Sequence, residues 1–185
     1  MKRLSKLLAL VLTGVMALTL LAGCSGGVAL SEKEILENFK DLYKVEGYPV
    51  EFTDDTTNYA QKAANAVKVY YNGLAEDEKA EFDVEELIDN ISHGAEINDP
   101  AGVCGAVVPN GSSVAFALYC AKIENVRTPY FQKQMNYIVA QQLRYGAHAY
   151  LNPNANTTDN VALSSQIETI GSDTYIFMVV RSISK

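Results

Sequence analysis

Two histidines and one carboxylate are the residues of this 185-residue chain whose types and spacing come nearest to catalysis. His93-Gly94-Ala95-Glu96 sets an imidazole and a carboxylate three residues apart, and His148 is the other histidine. Together His93, Glu96 and His148 match the number of protein ligands that a catalytic zinc takes, or a general base with an orienting partner. That combination would define a hydrolase or a metal-dependent enzyme. The surrounding pattern favours a different reading. There is no His-Glu-x-x-His spacing, Gly94 interrupts any helix that would align the pair, and no sequence feature brings His148 close. These residues are expected to be structural or at the surface, with the enzyme as the alternative, and no metal or other cofactor is expected.

Other nucleophiles have as little support. No Gly-x-Ser-x-Gly elbow occurs, and the glycines beside Ser112 and Ser172 are those a hairpin turn wants. Cys104 and Cys120 sit in apolar runs, where a thiol is buried rather than activated. They either pair as a disulfide outside the cytoplasm or stand as two small buried hydrophobes. No glycine-rich phosphate loop is present. Glu76, Asp77, Glu78, Glu81, Asp83, Glu85, Glu86 and Asp89 lack the spacing of a calcium loop and read as a solvated helix face. Tyrosine is the unusual resource: there are 11, among them Tyr70, Tyr71, Tyr130, Tyr137, Tyr145 and Tyr150. Such amphipathic rings, where exposed, suit recognition of a protein, peptide or glycan.

The most specific chemistry lies at the N-terminus. Lys2, Arg3 and Lys6 precede a run from Leu7 to Gly23 that carries no charge. Basic start, apolar middle and small residues at the end describe a secretory signal peptide, and the run is short for a membrane span. Leu21-Ala22-Gly23-Cys24 resembles the lipobox of bacterial lipoproteins. The resemblance covers residues 1–24 and implies diacylglycerol transfer to the Cys24 thiol, cleavage before Cys24, and acylation of the new terminus. It implies a protein anchored by lipid on the extracytoplasmic face of the cell membrane, or on the outer membrane of a two-membrane cell. Residues 25–30 would then be a tether reaching at most about 20 Å. Loss of residues 1–23 takes the formal charge from −7 to −10. So acidic a domain is repelled by nucleic acid and by anionic headgroups, which predicts attachment through the lipid alone and no nucleic-acid partner.

Behind the tether, residues 31–185 are long enough for a single domain. Ser31 and Glu34 form a capping-box pattern ahead of Ile35, Leu36, Phe39, Leu42 and Tyr43 at helical spacing. A second helix runs through Tyr59, Ala60, Ala63, Ala66, Val67 and Tyr70, and a third follows Asp83. Val103–Val108 and Val114–Ile123 read as a hairpin around Pro-Asn-Gly-Ser-Ser, with Cys104 and Cys120 on one face. Pro129 opens another helix, and Val161–Ile170 with Thr174–Ile183 read as a second hairpin turning at Gly171-Ser172-Asp173. The segments 110–123 and 170–183 echo each other faintly. The expected architecture is α+β: an antiparallel sheet of about four strands, from two hairpins, packed against several helices. The function that fits is a non-enzymatic binding module anchored in the bacterial envelope.

Overall fold

A computed structural model describes residues 27–47, 50–92, 99–107, 116–147 and 159–182. The sheet grows from its most apolar segment. β4 (Asp173–Ser182) is buried without a break from Tyr175 to Val180, the mark of a strand covered on both faces. It pairs antiparallel with β3 (Asp159–Ile170), from Val161 opposite Ser182 to Ile170 opposite Asp173. Gly171 takes a φ of +63° at their turn, a conformation that a side chain resists. On its other side β4 pairs antiparallel with β2 (Phe116–Ile123), and β3 pairs in parallel with β1 (Val50–Asp54). The order is β1-β3-β4-β2.

Helices cover both faces. Ile176, Met178 and Val180 of β4 point to α1 (Glu32–Val45) and α6 (Pro129–Ala147), where Ile35, Phe39, Tyr43, Val139, Ala140 and Leu143 close one core. Tyr175, Phe177 and Val179 point the other way. They meet α2 (Tyr59–Gly73), α4 (Val84–Ser92) and α5 (Val103–Val107) in a second core built on Ala60, Ala63, Ala64 and Val67. The alanines let α2 lie close on the sheet. α3 (Glu76–Glu81) buries none of its residues.

The fold is α+β with four strands, as expected, and the β3–β4 hairpin falls within two residues of its predicted bounds. Three expectations are corrected. Val103–Val107 is a helix, not a strand: Asp99 accepts the Val103 and Cys104 N–H groups at 2.9 and 2.7 Å, and Val103 and Val107 share the face on α2. The first hairpin is therefore absent from the described residues, and Cys104 and Cys120 do not sit on paired strands. The remaining strand is β1, between the first two helices where the sequence pattern predicts no strand, so the sheet is mixed rather than antiparallel throughout. Consequently the echoing segments are not twin helix–hairpin units; their strands β2 and β4 are neighbours in the sheet. Among the described residues no helix is long and apolar enough to cross a membrane.

Candidate functional site

β1 stops at Asp54, opposite Leu163, while β3 continues. Past that point α1, the start of α2 and the uncovered stretch of β3 wall a cleft of about 620 Å³ at the carboxyl end of β1. Open α/β sheets commonly bind ligands in such a crevice. Its floor is Leu163, Ser164 and Ser165; its walls bring Glu32, Lys33, Lys40, Asp54 and Asp55. Strand alternation sends the two serines to opposite layers. The Ser164 hydroxyl accepts the Ala60 N–H at 3.1 Å and so caps α2, together with Asn58, whose side chain accepts the Gln61 N–H at 3.2 Å. The Ser165 hydroxyl donates to Glu32 at 2.5 Å.

Two ion pairs frame the cleft. Arg181 Nε donates to Asp55 at 3.1 Å, and the Asp55 side chain is only 4% exposed. The Arg181 guanidinium also lies over the Tyr59 ring, 5.3 Å from its centroid. The Lys40 ammonium donates to Asp54 at 2.9 Å. A serine held by a carboxylate is part of a nucleophilic site, but acyl transfer also needs a base poised near neutrality and donors for an oxyanion. What the cleft offers is hydrogen-bond exchange with a polar ligand, between fixed charges of both signs.

Cys24, His93, Glu96 and His148 lie outside the described residues. Cys104 and Cys120 are both half-buried against the α2-side core, with no disulfide between them in the structure. Burial pushes the Cys120 thiol well above its ordinary range, with Glu85 and Asp83 adding to the rise, so it is not an activated nucleophile. The acidic stretch has structural duties. Asp83 accepts the Glu85 and Glu86 N–H groups at 2.8 and 3.1 Å, and Glu85 accepts the Lys122 N–H at 3.1 Å on the open edge of β2. Among the described residues no group of three or more metal-binding side chains comes together. Tyr70 and Tyr71 pack on Phe82, whereas Tyr130 and Tyr137 are exposed. The side chain of Tyr145, and Tyr150 altogether, lie outside the described residues.

One residue that the sequence did not single out organises the N-terminal end. Asn136 of α6 is fully buried; its carbonyl oxygen accepts the Ser31 N–H at 3.1 Å and its amide donates to Glu34 at 2.6 Å. Ser31 does cap α1, accepting the Glu34 N–H at 3.3 Å. The return bond of the capping box is relayed through Asn136 instead of running directly from Glu34. Upstream, Gln132 donates to the Ala29 carbonyl at 2.6 Å, and Val28 and Val126 exchange backbone bonds at 2.5 and 2.9 Å. Leu30 is buried. Residues 27–30, expected as free tether, are thus fastened to the domain. A polar residue within the apolar stripe of α6, between Met135 and Val139, was the available signal.

Compared with family models, curated proteins and solved structures, the chain matches none.

Proposed function

We propose that the chain is a bacterial lipoprotein, anchored through Cys24 on the extracytoplasmic side of a membrane, and that its folded part is a binding module rather than an enzyme. The observation that carries this reading is Leu21-Ala22-Gly23-Cys24 at the end of an uncharged apolar run that follows Lys2, Arg3 and Lys6. The binding role is supported by the polar cleft at the end of β1. Its ligand class is a protein, peptide or glycan with polar groups to meet Ser165, Glu32, Lys33 and Lys40.

The test is Cys24→Ala in the full chain. The parent is expected to incorporate an alkyne-labelled fatty acid and to sediment with membranes; the variant should do neither and should retain its signal peptide. Unchanged labelling and sedimentation of the variant would refute the lipid anchor.

A further inference from the structure

We propose that the exposed face of α6 is the surface on which the anchored domain rests against the lipid bilayer. This rests on the lipoprotein reading and adds a contact that net charge alone argued against. Tyr130, Phe131, Tyr137 and Ile138 are 68, 50, 44 and 43% exposed, and among the described residues they are four of the six large apolar ones that stand most open to water. The spacing i, i+1, i+7, i+8 puts them in one stripe of α6, opposite Val139, Ala140 and Leu143 in the core. Tyr130 and Phe131 touch edge to face, with centroids 5.7 Å apart, and form a single aromatic knob at the helix's first turn.

Two independent observations choose the bilayer as the occupant. The first is where the chain leaves the structure. The Val28–Val126 bridge and the Gln132–Ala29 bond hold the N-terminal segment beside the first turn of α6. From Gly27 back to Cys24 there are three residue steps, about 10 Å of chain at most. Acyl chains on Cys24 would therefore enter the membrane within that distance of the end of the domain that carries Tyr130 and Phe131. The second is charge. No acid occurs between Glu124 and Asp159 in a chain with 22 acidic residues, and this interval contains Arg127, Lys133 and Arg144. Arg144 is paired with Glu46, just past the end of α1, whereas Arg127 and Lys133 are exposed near the aromatic knob. The acidic stretch lies on α3 and α4, and α4 packs in the opposite helical layer. Amphipathic rings with adjacent basic side chains are what the headgroup region accepts, and a few Lys or Arg near an anionic surface are attracted within a Debye length.

The chain contains no tryptophan, so one can be introduced as the only reporter. Full-length lipidated protein would be reconstituted into phosphatidylcholine–phosphatidylglycerol vesicles with brominated acyl chains. It would be prepared as Tyr130→Trp and, separately, as Val69→Trp, a 72% exposed position on α2 in the other helical layer. Both sites are at the surface, so neither change disturbs a core. The expected result is a blue shift and several-fold stronger bromine quenching for Tyr130→Trp than for Val69→Trp, while both proteins float with the vesicles. Flotation with equal or no quenching overturns the bilayer contact and leaves the anchor standing. A blue shift without quenching means that protein, a second copy or a partner, covers the face, and also overturns it. Failure of both proteins to float overturns the anchor and this contact with it.

Discussion

Replacing Asn136 with alanine should loosen the N-terminal end of the domain by an amount that the geometry sets. Two bonds disappear: one between neutral groups, with the Ser31 N–H, and one to the Glu34 carboxylate. A net neutral bond contributes about 1 kcal/mol, and one to a charged group about 1.5–3 kcal/mol. Ser31 and Glu34 are half-buried, so water partly replaces the lost partner and the desolvation penalty is not paid in full. The expected loss is about 2.5–4 kcal/mol. It should appear in urea denaturation of the chain from Ser25 onward as a midpoint lowered by about 1–2 M, taking a slope of about 2 kcal/mol/M. The slope itself should not change. A double-mutant cycle with Glu34→Ala should return a coupling of about 1.5–3 kcal/mol, the charged bond alone. Asn136→Asp keeps the shape and the acceptor for Ser31 but sets a carboxylate against Glu34, so at pH 7 it should be no more stable than the alanine variant. A midpoint for Asn136→Ala within about 0.3 M of the parent, or a coupling near zero, would refute the relayed cap as a source of stability.

Further outcomes can be measured on the same protein. Asp55→Ala leaves the Arg181 guanidinium without its carboxylate between β4 and Tyr59, and should destabilise by about 3 kcal/mol, read as a lowered urea midpoint. Burial, with Asp173, Cys120, Asp83 and Glu85 around it, raises the Tyr175 hydroxyl to about 12. An acid raised in the folded state favours folding while it stays protonated, so this contribution is whole below about pH 10 and is lost between pH 10 and 12. Stability against pH should fall over that window in the parent, and the fall should be smaller in Tyr175→Phe; identical slopes would disprove it. Alkylation of the unfolded, unreduced chain should modify both Cys104 and Cys120, whereas the folded chain should react slowly at Cys120. A chain that resists alkylation until a reductant is added would restore the disulfide.

The parts of the fold that were legible in the sequence are those in which one pattern repeats long enough to exclude another. Ile35, Phe39 and Tyr43 repeat at a single helical step and have a capping serine in front of them, so α1 could be read residue by residue. The β3–β4 turn announced itself through Gly171 between two long apolar strands. β1 offers only Val50 and Phe52 as inward residues, and its partner lies on β3, more than a hundred positions along the chain. Local periodicity carries no trace of such a pairing. Val-Cys-Gly-Ala-Val is equally compatible with a turn of helix and a short strand, and the deciding group, Asp99, lies outside the run. The cleft was hidden for a related reason. Ser164 and Ser165 look like ordinary strand polarity until the early end of β1 uncovers them. Asn136 needed the three-dimensional meeting of α1 and α6 to acquire a purpose.

The place of β4 also bears on when this protein can become itself. β4 follows every other described element along the chain, yet it is an inner strand, hydrogen-bonded to β3 on one side and to β2 on the other, with both cores resting on it. Until its residues emerge, β2 has no neighbour in the sheet, and each of the two cores lacks its central strand. Assembly of the sheet must therefore wait for β4, and a product that stops before it would expose apolar surface of both cores to aggregation. The N-terminal end of the described fold also waits: Val28 and Ser31 find their partners only on α6 and the residues leading into it.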